Sequence, residues 1–149
     1  MATRIDAPAV ADEPGVHVAE GCAAHVLVVE DYAPLRALVS LHLESLGLRV
    51  RAARDGDTAL ASLADGAPCD LVLCDVVLTG GVDGVEVVER ARALRPGLPV
   101  VLMSGSGGRS LPSAALHGVP LLSKPFTLGA LTVVVLDALG RAARRTSSG

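Results

Sequence analysis

The regular alternation of short aliphatic runs with helix-like stretches constrains this chain more than any other feature. From His25 onward the runs HVLVVED, LRVRAA, DLVLCD, PVVLMS and VPLLS recur, each bounded by polar or glycine-containing residues. Between them lie stretches of helical spacing. APLRALVSLHLESLG places Leu35, Leu38, Val39, His42 and Leu46 on one face and closes at Gly47, and DGDTALASLADG and GVEVVERARALRPG follow in the same way. A last stretch, TLGALTVVVLDALGRAARR, has Thr127 available as its cap. Strands joined by helical crossovers run parallel, and right-handed crossovers put helices on both faces. The expectation is an α/β fold, a single doubly wound five-stranded parallel sheet.

The core of such a sheet is built here without aromatics. Half of the 149 residues are apolar, yet Tyr32 and Phe126 are the only aromatic ones, so Val, Leu and Ala must fill the interior. Aliphatic runs of this kind suit strands covered on both sides. Residues 1–24 mix Ala, Pro, Asp and Glu without periodicity and read as a disordered extension. Residues 141–149, with Arg141, Arg144 and Arg145, read as a disordered basic tail, which leaves 25–140 as the domain.

Charge and cysteine usage narrow the class. A net charge of −3 gives no electrostatic reason to expect nucleic acid. No run of 18 apolar residues and no signal-like N-terminus occurs, so neither a membrane span nor export is expected, and the cytoplasm is the expected location. Cys22, Cys69 and Cys74 form no CxxC pair and fit reduced thiols.

In doubly wound folds ligands sit outside the carboxyl ends of the strands. The first run ends in Glu30-Asp31, the third in Asp75, the fourth in Ser104 and the fifth in Lys124-Pro125. Three acids, a hydroxyl and an amine thus converge on one edge. Clustered carboxylates cannot all stay ionised without a cation, and oxygen-only ligands point to a hard ion such as Mg²⁺, with Asp31 and Asp75 binding it directly and Glu30 acting through a water. A carboxylate beside such an ion can attack phosphorus and form an aspartyl phosphate. Lys124 would then pair with phosphoryl oxygens, and Ser104 would donate to another.

With these residues in place, 25–139 resembles the response-regulator receiver domain of bacterial two-component signalling. The acidic pair Glu30-Asp31, Asp75, Gly84 in the following loop, Ser104 and Lys124-Pro125-Phe126 carry the likeness. It implies the strand order 2-1-3-4-5, phosphorylation of Asp75 by a histidine kinase or small phosphodonor, and Mg²⁺ held by Asp31, Asp75 and the backbone carbonyl of Val77. It also implies a cis peptide before Pro125. The only chemistry implied is self-catalysed phosphotransfer and autodephosphorylation, in a monomer or weak dimer that docks a downstream protein or relays phosphoryl to a phosphotransfer protein. Val77 and Ser106 lie where the family tunes water access to the acyl phosphate.

The chain departs from the family pattern in four places. Thr79 replaces a usual proline, Gly80-Gly81 lengthen the same loop, Leu121 stands where many receivers carry an aromatic residue, and residues 105–118 leave room for only an abbreviated helix. Signal is therefore expected to leave through an altered surface or by loop ordering. A phosphorylation-independent interaction module and an aspartate-nucleophile phosphohydrolase are the alternatives. The second lacks its acid, because Val77 stands two residues after Asp75. A flavodoxin-like carrier would need aromatics to stack on a flavin, and His42 reads as a packed residue rather than a phosphoryl carrier. The bland reading of Asp31 is as an N-cap of the helix that contains Pro34.

Overall fold

A computed structural model describes residues 23–105 and 118–148 of the chain. The expected N-terminal extension up to residue 22, Cys22, Ser106 and the abbreviated helix all lie outside the described residues. The elements run β1 (His25–Val29), α1 (Ala33–Ser45), β2 (Arg49–Ala53), α2 (Gly56–Ala64), β3 (Leu71–Asp75), α3 (Gly84–Leu94), β4 (Val100–Ser104), β5 (Leu121–Ser123) and α4 (Leu128–Ser148). The strands form one sheet in the order β2-β1-β3-β4-β5, and every pairing is parallel. This is the doubly wound sheet that the alternation predicts.

Strand alternation divides the interior into two layers. Leu27, Val29, Val72, Cys74, Val100 and Leu102 face α2 and α3, where Ala59, Leu60, Leu63, Val87, Val88 and Ala91 meet them. Val26, Val28, Leu71, Leu73, Val101 and Met103 face the other way onto Val39 and Leu43 of α1 and Leu131, Val135 and Ala138 of α4. Central strands covered on both faces have no polar side to show, which is why β3 reads LVLC before its aspartate. The edge strand β2 instead carries the exposed Arg49 and Arg51, which blunt a free edge.

The caps explain where the helices begin. The Thr58 N–H donates to Asp55 Oδ1 at 2.8 Å, the Glu86 N–H to Asp83 Oδ1 at 3.0 Å, and the Ala130 N–H to Thr127 Oγ1 at 3.0 Å. Helix α1 differs: it starts from Tyr32 with no side-chain cap. The N-cap role weighed for Asp31 is therefore not the one it takes. Gly47, at φ +90°, closes α1 in the left-handed conformation that glycine adopts without strain.

Two expectations are corrected. On α1 Val39 is buried and Leu35 and Leu46 pack against the same core, as the sequence predicts, but Leu38 is 49% exposed and Leu43 takes its place on the inward face. His42 stays half-buried, with Nε2 2.7 Å from Thr132 Oγ1 on α4, which fits a packed histidine. The basic tail is also not disordered over its described part, because α4 runs on to Ser148. Alanine and arginine are strong helix formers, and Arg141 closes an i,i+4 ion pair on Asp137 that carries the helix past the core. No helix among the described residues is long and apolar enough to cross a membrane.

Candidate functional site

Parallel pairing brings the carboxyl ends of β1, β3, β4 and β5 side by side. Asp75 ends β3, Glu30 and Asp31 follow β1, and Lys124 follows β5 across a cis peptide to Pro125. The Lys124 N–H donates to the Ser104 carbonyl at 2.7 Å, so the end of β4 fixes where the lysine leaves the sheet. Its ammonium then bridges two acids, donating to Asp75 Oδ2 at 2.8 Å and to Glu30 Oε1 at 2.9 Å. An ammonium has three protons, so one donor position is left over.

Each carboxylate is held by a backbone amide as well. The Tyr32 N–H donates to Glu30 Oε2 at 3.1 Å, the Val77 N–H to Asp75 Oδ1 at 3.2 Å, and the Thr79 N–H to Asp31 Oδ2 at 3.1 Å. Burial pushes the Glu30 carboxyl up, since the side chain is 1% exposed and its bonds to Lys124 and Tyr32 only partly offset the desolvation. At Asp31 burial acts in the same sense but is outweighed by hydrogen bonding from Thr79, which holds the carboxyl below the usual range. Burial also disfavours the charged form of Lys124, yet its bonds to Asp75 and Glu30 prevail and raise it above an ordinary lysine.

One oxygen from each of Glu30, Asp31 and Asp75 lies within 4.8 Å of the others. An all-oxygen donor set of this charge suits a hard divalent cation. The backbone behind the acids is equally constrained. At Gly84, the first residue of α3, a Cβ would come within 2.1 Å of the Asp75 carbonyl oxygen and 2.7 Å of Val76 Cα. Any larger residue would push the helix off the strand end that presents Asp75. Sequence reasoning singled out this glycine without the reason for it.

Four of the expected site residues come together: Glu30, Asp31, Asp75 and Lys124. Ser104 does not join them, because its hydroxyl donates to the neighbouring Gly105 carbonyl at 3.3 Å. The Val77 side chain is 50% exposed at the rim, with only its N–H turned to Asp75. Leu121 is 49% exposed on β5. The Thr79 amide was missed, since a residue noted for not being proline was not followed to the donor it thereby gains. Cys69 and Cys74 are free thiols, and burial raises both above the ordinary thiol range, so neither is a ready nucleophile.

Residues 26–136 match the family described as the response regulator receiver domain. The chain belongs to that family. It is 35% identical over 117 residues to the nitrogen assimilation regulatory protein NtrX of Azorhizobium caulinodans, an alignment covering 76% of this chain and 26% of the relative. It is also 35% identical over 117 residues to the autoinducer 1 sensor kinase/phosphatase LuxN of Vibrio harveyi, covering 78% of this chain and 14% of that protein. The crystal structure of the receiver domain of NtrX from Brucella abortus superposes with a TM-score of 0.70 at 36% identity, covering 77% of this chain and 98% of that domain. The chain thus spans only a minor part of these full-length relatives, the part that is a receiver. Receiver domains are regulatory modules of two-component systems and bind Mg²⁺ at an acidic pocket, which the Glu30, Asp31 and Asp75 cluster matches.

Proposed function

We propose that Asp75 is the phosphoacceptor of this receiver, and that a histidine kinase is its donor. The observation that carries the reading is the Lys124 ammonium fixed between Asp75 and Glu30, because it places a cation where phosphoryl charge would arrive. An Asp75 carboxylate oxygen attacks phosphorus, the P–N bond of a phosphohistidine breaks, and the imidazole leaves with the bonding pair and takes up a proton. Lys124 then exchanges a carboxylate oxygen for a phosphoryl oxygen. Ser104 would supply a further donor by rotating away from Gly105. Mg²⁺, when bound among Asp31, Asp75 and the Val77 carbonyl with Glu30 behind them, would offset the repulsion between the carboxylate and the phosphoryl oxygens.

The transfer is positioning and electrostatics and needs no other chemical group from the protein. The only turnover proposed is self-catalysed phosphotransfer and loss of the phosphoryl group. That related domains occur both in a regulator and in a sensor kinase supports a relay or docking output, with a downstream protein or phosphotransfer protein as receiver of the signal. The free thiols of Cys69 and Cys74 support the cytoplasm as the proposed location.

Intact mass after incubation with acetyl phosphate and Mg²⁺ tests the assignment. A single phosphoryl adduct is expected, lost with chelator and lost in Asp75→Asn. An adduct that survives in Asp75→Asn refutes the site. No adduct from either acetyl phosphate or a cognate kinase would instead support a receiver-shaped module that works without phosphorylation.

A further inference from the structure

We propose that Thr79 is a positioning residue for Asp31, acting through its backbone N–H, and that this bond ties the acidic pocket to the course of the loop between β3 and α3. The inference rests on the reading of Asp31 as a Mg²⁺ ligand. Asp31 lies between β1 and α1, in neither element, where a side chain has several staggered wells open to it. A donor delivered from 48 residues further along the chain, 3.1 Å from Oδ2, selects one of them. A carboxylate has about four lone-pair sites, so lone pairs beyond the one facing the Thr79 amide can be offered to a cation.

The donor is itself fixed. Leu78 and Val82, both 7% exposed, anchor the loop into the core on either side of Thr79. Asp83 then caps α3. Between the anchors Gly80 sits at φ +99°, and a Cβ there would meet nothing within 4 Å, so its glycine serves backbone conformation rather than space. Gly80 thus turns the chain after Thr79 while Thr79 keeps its amide on Asp31. A proline at 79 has no N–H and cannot make this bond. The loop residues that depart from the family pattern are therefore the ones that orient this acid.

The test is a Mg²⁺ titration of the full chain followed by Tyr32 fluorescence, which is free of tryptophan background because the chain has one tyrosine and no tryptophan. Removing an outer partner of a metal ligand typically weakens binding by 10–100-fold, so Thr79→Pro is expected to lose about tenfold in Mg²⁺ affinity and Thr79→Ala, which keeps the N–H, no more than about twofold. In the wild type and in Thr79→Ala the amide resonance of residue 79 should also move on Mg²⁺ addition. Wild-type affinity in Thr79→Pro overturns the inference, as does an equal loss in Thr79→Ala. A wild-type chain with no Mg²⁺ response overturns the metal reading and this inference with it.

Discussion

Lys124 and Ser104 leave adjacent strands on the same side of Asp75, and they are held in opposite ways. The lysine is pinned: two carboxylates and the Ser104 carbonyl hold its ammonium and its backbone N–H in place. The serine hydroxyl is turned aside onto Gly105. On the proposed reading, the difference separates a part of the site that is set before any phosphoryl group arrives from a part that would have to move afterwards. Preset charge accelerates the transfer because it needs no reorganisation, whereas a group that has to rotate reports that the transfer has happened.

Three measurements can overturn or refine that contrast. The largest effect is expected for Lys124→Ala, which should slow labelling of Asp75 by about 100-fold or more, the scale of removing one preorganised electrostatic donor. Labelling at the wild-type rate would show that the cation is structural only. Ser104→Ala should slow labelling by no more than roughly tenfold, because its hydroxyl is not preorganised on Asp75. It should also leave the unfolding free energy from urea titration within about 0.5 kcal/mol of wild type, since the bond it loses is an exposed one. A loss of stability like that of a buried polar group would mean that the serine is held in place no less firmly than the lysine.

The smallest effect is one of pH. Lys124 titrates above an ordinary lysine in the folded chain, where its bonds to Asp75 and Glu30 outweigh burial. Its stabilisation is therefore fully present below the unfolded lysine value and is lost as pH rises through the higher folded value. Urea unfolding should show wild type more stable than Lys124→Ala from neutral pH up to the lysine range, with the gap closing only above it. A gap that closes near neutrality would contradict the ion pair.

The convergence of Glu30, Asp31, Asp75 and Lys124 was legible because strand ends are marked by a change from aliphatic to polar residues, and parallel pairing puts all those ends on one edge. The cap at Thr127 was legible too, because a hydroxyl residue stands directly before the helical run. One position on the inward face of α1 was not. Leu35, Leu38, Leu41 and Leu43 are all apolar, so spacing alone could not say whether Leu38 or Leu43 meets the sheet. The last helical stretch was read to Arg145, and the tail reading of 141–149 that overlapped it took polarity for disorder, although an alanine and arginine run with an Asp137–Arg141 pair propagates a helix well. The Ser104 rotamer and the Thr79 amide left no mark in the sequence, because one is a side-chain torsion and the other a backbone donor that every residue except proline possesses.

Lys124 is also the chain's sole lysine, so the ε-amine pinned between two acids is the one place, besides the α-amine, where an amine-directed reagent can act. Acylation or reductive methylation, which on most proteins scatters over the surface, would here read out a single side-chain address. An amine-coupled dye or resin attached at that address would occupy the acidic pocket itself, so conjugates for binding studies are better made at a chain terminus.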